Sequence, residues 1–218
     1  MIKFDHQREE RIRLPESVFC HDKTVEMLNE ILVDLAEGAT ARVLFTRLSR
    51  EKFRSLNPDL ATRLDYHELS ETALLGGPRE ERVPGKVAVI TAGTSDLPVA
   101  WEAQRTLHYL GVASTLVVDV GVAGLWRLQE RLPEINEHDV LIVVAGMDAA
   151  LVSVVGGLTA RPLIGVPTST GYGVSSGGRT ALESMLASCS PGVVVVNIDN
   201  GYGAACAAVR ILQGIQPE

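Results

Sequence analysis

Apolar positions along this chain fall into two regimes, divided near Lys86. From there onward they form short continuous runs, each followed by a loop of Gly, Ser, Thr or Asp and then by a stretch at helical spacing. Val87–Thr91, Thr115–Asp119, Asp139–Ala145, Leu163–Val166 and Gly192–Ile198 read as strands. Pro98–Leu110, Leu125–Leu132 (stopped by Pro133), Ala149–Leu158, Gly177–Ala187 and Gly203–Leu212 read as the helices between and after them. Strands apolar on both faces that alternate with helices predict a parallel sheet covered on both sides. Right-handed crossovers then give a three-layer, doubly wound α/β fold.

Before Lys86 the pattern is less regular. Thr24 can cap a helix whose apolar stripe is Met27, Leu28, Ile31, Leu32 and Leu35 and whose end is Gly38. Ala41–Thr46 is a short strand, and Arg47–Leu64 a loop with a second short helix. Asp65–Gly77 is open between one more strand and a polar excursion. Leu75-Gly76-Gly77-Pro78, the charges of 79–82 and Pro84-Gly85 read as a linker. The expected division is a small N-terminal α/β domain with its linker over 1–84 and a larger domain over 85–218.

Composition narrows the functions. A net charge of −7 without any Lys/Arg run argues against nucleic acid as a partner. No apolar run reaches the length of a membrane span, and the charged start MIKFDHQREERIR is no signal peptide. Cys20, Cys189 and Cys206 form no paired framework, which points to a reducing cytoplasm.

In a doubly wound sheet the ligand site lies beyond the carboxyl ends of the strands. The five loops there read AGTSD, DVGVAG, AGMD, PTSTGYGVSSGG and NIDNGYG. Every one contains glycine and four contain aspartate, which indicates a small-molecule site. Gly93, Thr94, Ser95 and Asp96 precede a helix and suit a phosphate, with an ordinary capped turn as the competing reading. Neither G-x-x-x-x-G-K-[ST] nor G-x-G-x-x-G follows this strand. Asp148 follows the third strand and is expected to be partly desolvated, as an acid–base group or as a helix cap. Asp119 is a second such candidate, and turn chemistry alone accounts for Asp199 and Asn200. Cys189, near a helix C-terminus, sits at the wrong end of the dipole to favour a thiolate and reads as a core thiol on physics alone. Cys206 reads as packing. His6, His21, His67, His108 and His138 show no metal-ligand spacing, and none falls in a rim loop to build a Ser–His–Asp triad.

The five loops in this order resemble the LarB family, whose core is shared with the PurE-type aminoimidazole ribonucleotide (AIR) carboxylases. The matching segments are residues 91–100 (TAGTSDLPVA), 119–125 (DVGVAGL), 144–147 (VAGM), 166–169 (VPTS), 171–173 (GYG), Ser188-Cys189 and 197–204 (NIDNGYGA). Asp5, Arg8, Arg11, Pro15-Glu16, Lys23-Thr24 and Thr46-Arg47 are similar to the family's opening. The resemblance implies a PurE/flavodoxin-like catalytic domain over 85–218. It implies carboxylation of the pyridinium ring of nicotinic acid adenine dinucleotide, with cleavage of its phosphoanhydride to release AMP, a step toward the nickel-pincer nucleotide of lactate racemase. Cys189 occupies the family's nucleophile position and Asp148 that of a catalytic carboxylate, with Asp119 as a further catalytic candidate. Gly93, Thr94, Ser95, Asp96, Thr168, Ser169, Gly171, Tyr172, Gly173, Asn197, Asp199 and Asn200 then bind substrate.

The implied partners are that dinucleotide, CO2 or bicarbonate, and further copies of the chain in an octamer. No tightly bound cofactor is implied, and Mg2+ is left open. The chain departs from the family at Asp148 (usually Glu), Trp126 (His), Trp101 (acidic), Ala205-Cys206 (Gly and an aromatic) and Arg13 (Gly). Two other readings are a nucleotide-binding module that has lost catalysis and a PurE-like AIR carboxylase or mutase. Against the latter, the histidine-bearing loop of PurE is replaced by DVGVAG.

Overall fold

A computed structural model of the chain describes residues 4–5, 7–37, 42–77, 80 and 83–214. It divides into two compact units, Met1–Glu80 and Glu81–Glu218.

The first unit contains helices α1 (Arg8–Ile12), α2 (Val25–Glu37), α3 (Arg50–Arg54) and α4 (Pro58–Ala61). Its strands are β1 (Ser17–Phe19), β2 (Val43–Thr46), β3 (Leu64–His67) and β4 (Thr72–Leu75), in the sheet order β1-β2-β4-β3. β1 and β2 are parallel, and the other pairs are antiparallel. Thr24 caps α2 by accepting from the Met27 amide at 3.3 Å. Leu28, Ile31, Leu32 and Leu35 then bury against Val43, Phe45, Leu64, Ala73 and Leu75, while Met27 of the expected stripe is exposed. Residues 65–77 resolve into strands, because β4 is buried along its whole length between its two neighbours. α1 and β1 were not foreshadowed by any run of apolar residues. Gly38 and Ala41, expected to end the helix and open the next strand, lie outside the described residues.

The second unit alternates β5 (Val83–Thr91), α5 (Leu97–Leu110), β6 (Val112–Val117), α6 (Leu125–Ile135), β7 (Val140–Ala145), α7 (Ala150–Gly156), β8 (Leu163–Pro167), α8 (Arg179–Leu186), β9 (Val193–Val195) and α9 (Gly201–Gly214). All strand pairs are parallel in the order β6-β5-β7-β8-β9. That is the flavodoxin-like order, whose direction of winding reverses between β5 and β7. Alternation along each strand separates two cores. Ala88, Ile90, Leu141, Val143 and Ala145 pack with Leu128 of α6, Leu151 and Val155 of α7, and Met185 of α8. α5 and α9 pack together over the opposite face, so the unit is the expected three-layer sandwich.

Several boundaries differ from expectation. β6 starts three residues earlier and ends before Asp119, and β9 is only Val193–Val195. Two further differences have a visible cause. β5 begins at Val83, inside the stretch read as linker, and pairs with Val112 before a register shift that absorbs Pro84-Gly85. α6 does not stop at Pro133. Fully buried Ile135 holds the turn beyond it, and the Asn136 amide closes on the Leu132 carbonyl at 3.0 Å.

Candidate active site

The carboxyl ends of β5–β9 are laced together by hydrogen bonds between loops distant in sequence. The Asp119 amide donates to Thr91 Oγ1 at 3.1 Å and the Val120 amide to the Thr91 carbonyl at 3.1 Å, which docks the loop after β6 on the end of β5. Gly121 makes that approach feasible, since a Cβ there would lie 2.6 Å from the Ala92 carbonyl oxygen. The Met147 amide donates to the Thr170 carbonyl at 2.9 Å, and Thr170 Oγ1 to the Ser95 carbonyl at 3.2 Å. The Asp199 amide donates to the Pro167 carbonyl at 2.8 Å, while Asp199 Oδ1 accepts from the Ser169 amide at 2.8 Å. Four non-glycine residues here, Asp119, Met147, Ala149 and Asp199, adopt left-handed φ values of 60°, 56°, 53° and 55°. Such conformations cost energy and persist where surrounding structure enforces them, most often at functional sites.

The candidate residues separate into those turned inward and those turned outward. Asp96 is 3% exposed and Thr168 1%. Thr168 Oγ1 donates to Asp96 Oδ1 at 2.7 Å, the Gly93 amide donates to Asp96 Oδ2 at 2.9 Å, and the Gly146 amide bonds to the same carboxylate. Burial pushes the Asp96 carboxyl upward from its ordinary pKa. Those hydrogen bonds oppose the shift and the nearby Asp199 charge adds to it. Asn200 Oδ1 accepts from the Gly203 amide at 2.8 Å and so caps α9. Asp96 and Thr168, expected as substrate ligands, are thus engaged inside the protein, and half-buried Asn200 is taken up at the head of α9. Thr94, Ser95, Ser169, Tyr172, Gly173 and Asn197 are exposed, and Gly171 is half-buried between them.

The three expected catalytic groups are not gathered at one point within the chain. Asp148 is exposed, not partly desolvated, and its Oδ1 accepts from the Ala150 amide at 3.3 Å, a local turn that leads into α7, whose cap position is Ala149. Asp119 forms an ion pair with Arg127 on the first turn of α6. Cys189 is exposed and lies in the turn leading into β9, at the amino end of its strand, whereas Asp148 follows the carboxyl end of β7. That turn is fixed to α7, with Ser188 Oγ 2.7 Å from Ser153 Oγ and Ser190 Oγ donating to the Ser153 carbonyl at 2.7 Å. Cys206 is half-buried, and Cys20 is buried, with desolvation pushing its thiol up to about 12.

Two residues at the rim were missed. Arg127 supplies a guanidinium beside the acidic loop, and its signal was a cation one turn into a rim helix. Glu102, buried on α5, accepts from the Tyr202 amide at 3.2 Å and occupies the positive end of α9. Exposed apolar side chains surround the rim, with Tyr172 at 78%, Val174 at 92% and Trp126 at 60%. Among the described residues no three His, Cys, Asp or Glu side chains gather as a metal-ligand set, and no helix is long and apolar enough to cross a membrane.

Comparison with known proteins adds family to geometry. Residues 86–218 match the AIR carboxylase family, and residues 1–76 match the LarB/PurE-like N-terminal domain. An uncharacterized protein of Methanocaldococcus jannaschii is 41% identical over 213 residues, covering 93% of this chain and 80% of its own. The N5-carboxyaminoimidazole ribonucleotide mutase of the same organism is 35% identical over 133 residues, covering 58% of this chain and 78% of its own. A crystal structure of a variant of Treponema denticola PurE2 superposes with a TM-score of 0.51 at 22% identity, covering 60% of this chain and 81% of its own, a likeness of fold.

Proposed function

The chain belongs to the LarB family, with a PurE-like AIR carboxylase domain, and from that premise we propose that it carboxylates the pyridinium ring of nicotinic acid adenine dinucleotide and hydrolyses the phosphoanhydride. The products are AMP and pyridinium-3,5-biscarboxylic acid mononucleotide. The observation that carries the reading is the LarB-type N-terminal domain joined to the PurE-like core.

A pyridinium cation resists electrophiles, so direct attack on CO2 is closed to it. Addition of the Cys189 thiolate to the ring removes its aromaticity and leaves an electron-rich enamine carbon. That carbon attacks CO2, forming the new C–C bond. The Asp148 carboxylate accepts the proton then lost from the same carbon, and expulsion of the thiolate restores the ring. Water cleaves the P–O–P linkage between the two nucleotides in a separate step. Exposure of Cys189 supports its role over that of buried Cys20. The outward hydroxyls of Thr94, Ser95 and Ser169 and the amides of the glycine loop fit a phosphate, and Arg127 supplies a cation nearby.

The separation of Cys189 from Asp148 along their strands supports a homo-oligomer in which one copy completes the rim of another. Exposed Tyr172, Val174 and Trp126 at one end of the sheet, and Leu186 and Val194 toward the other, fit burial by such a neighbour.

The test is turnover of nicotinic acid adenine dinucleotide with bicarbonate and Mg2+, followed by mass spectrometry. AMP and a dicarboxylated mononucleotide are expected. Binding without turnover would replace this reading with that of a nucleotide-binding module. Conversion of N5-carboxyaminoimidazole ribonucleotide instead would favour a mutase, the activity named for the relative at 35% identity.

A further inference from the structure

We propose that Asp96 is the positioning residue of the rim: an internal carboxylate that sets where Asp148 and the loop from Thr168 onward stand, without touching the substrate. Three loops that leave neighbouring strands meet on this one side chain. Its Oδ2 takes the Gly93 amide of the loop after β5 at 2.9 Å, and its Oδ1 takes Thr168 Oγ1 of the loop after β8 at 2.7 Å. The Gly146 amide of the loop after β7 reaches it as well. These are the loops on either side of the point where the sheet reverses its winding, together with the next one along.

Space at the junction is used up. A Cβ on Gly146 would lie 2.6 Å from Thr168 Oγ1, so the loop carrying Asp148, two residues on, rests against the hydroxyl that Asp96 holds. The Thr168 amide is fixed separately, on the Ala145 carbonyl at 3.0 Å, which leaves the side-chain bond to orient the hydroxyl. At 3% exposure, with both oxygens accepting, the carboxylate has no face turned to a ligand.

The choice of residue type follows from the donors. Two backbone amides and a hydroxyl converge on the position, and an ionised carboxylate is the side chain of this size that only accepts. Asparagine would keep one accepting oxygen where three donors converge, and its NH2 group would have to reverse the Thr168 hydroxyl bond or face an amide. An apolar side chain would leave the amides buried without a partner. Keeping a charge there costs desolvation energy, and burial shifts the Asp96 carboxyl upward accordingly. A group that only filled space would avoid that cost.

The experiment compares Asp96→Asn, Thr168→Val and Thr168→Ser in the full chain by amide hydrogen exchange and by kinetics. Exchange should quicken at residues 146–149 and 168–171 in Asp96→Asn, and at 168–171 in Thr168→Val. Thr168→Ser, which keeps the hydroxyl, should behave as the parent. The kinetic arm rests on the pyridinium-carboxylation reading. Asp96→Asn should lower kcat and raise KM together, by about ten- to a hundredfold in kcat/KM, the size of a lost hydrogen bond to a charged group. Thr168→Val should act mainly on KM.

If the parent does not turn over this substrate, the reading of function fails and the exchange pattern alone decides the role of Asp96. Parent-like exchange in both Asp96→Asn and Thr168→Val would overturn the proposal. So would loss of nucleotide binding in Asp96→Asn with exchange unchanged, which would make Asp96 a direct ligand. Should Asp96→Asn fail to fold, the contrast between Thr168→Val and Thr168→Ser carries the test.

Discussion

The two sheets of this chain handle the ends of their strands in different ways. In the first unit β1 and β2 are parallel, and the loops beyond their carboxyl ends are tied off internally. Lys52 donates to the Cys20 carbonyl at 2.8 Å and to the His21 carbonyl. The turn between β3 and β4 is closed by a chain from His67 Nδ1 through Ser70 Oγ to Thr72 Oγ1, each link 2.9 Å. In the second unit the polar loops are also laced together, yet exposed hydroxyls, Asp148, Tyr172 and Trp126 remain turned outward. Left-handed residues occur in the loops of both units, at Arg47 and Glu71 in the first and at Asp119, Met147, Ala149 and Asp199 in the second. Only in the second do they coincide with this cluster of outward hydroxyls. On the proposed function, the second unit's loops carry the chemistry.

The sharpest way to break that contrast is through the cysteines. Cys189→Ser should abolish carboxylation of the dinucleotide in a product assay, because serine is a far weaker nucleophile toward the ring. Cys20→Ser should leave turnover unchanged, since the Cys20 thiol is buried and pushed up to about 12. Equal loss in both would end the division of labour. Next in size are the cores. Ile142→Ala in β7 and Leu32→Ala in α2 each remove a fully or almost fully buried side chain and should cost about 2–5 kcal/mol in denaturant unfolding. Leu32→Ala should leave amide protection of β5–β9 intact, because each unit has a core of its own.

A smaller effect concerns pH. Burial raises the Asp96 carboxyl in the folded chain. Between the ordinary aspartate pKa and that raised value the folded state therefore holds more protons than the unfolded one. Asp96 then contributes stability at low pH that is lost as pH rises through the window, with Asp199 the nearby charge acting in the same direction. Unfolding of the parent and of Asp96→Asn across acid pH should show that slope in the parent alone. The smallest effect is expected at Arg13, which ends α1 in a left-handed conformation with φ 58°. Glycine is at ease there, so Arg13→Gly should stabilise the first unit by about 1 kcal/mol or less.

How much of this was legible in the sequence follows the same divide. β5, β7 and β8 are apolar on both faces, so continuous runs such as Val140–Ala145 left little room for another reading. β1 has three residues and one of them buried, too little for any periodicity to register. Pro133 misled because a local rule was overridden by the burial of Ile135, two residues on. At the site the loops and their glycines were readable, but the direction of each side chain was not. Asp96 and Asp148 look alike as residues after a strand. The difference lies in partners such as Thr168, 72 positions away from Asp96. The bond between Glu102 and Tyr202 spans 100 positions and left no local trace. The left-handed turn at Arg13 was announced only by the family's preference for glycine, and its geometry now accounts for that preference.

Turnover of nicotinic acid adenine dinucleotide in heavy-carbon bicarbonate tests the central claim most directly. The predicted result is a pyridinium mononucleotide carrying one heavy carbon in its new carboxyl group, released together with AMP. AMP released beside a mononucleotide with no heavy carbon would contradict it, and would leave the rim as the site of a phosphoanhydride hydrolase.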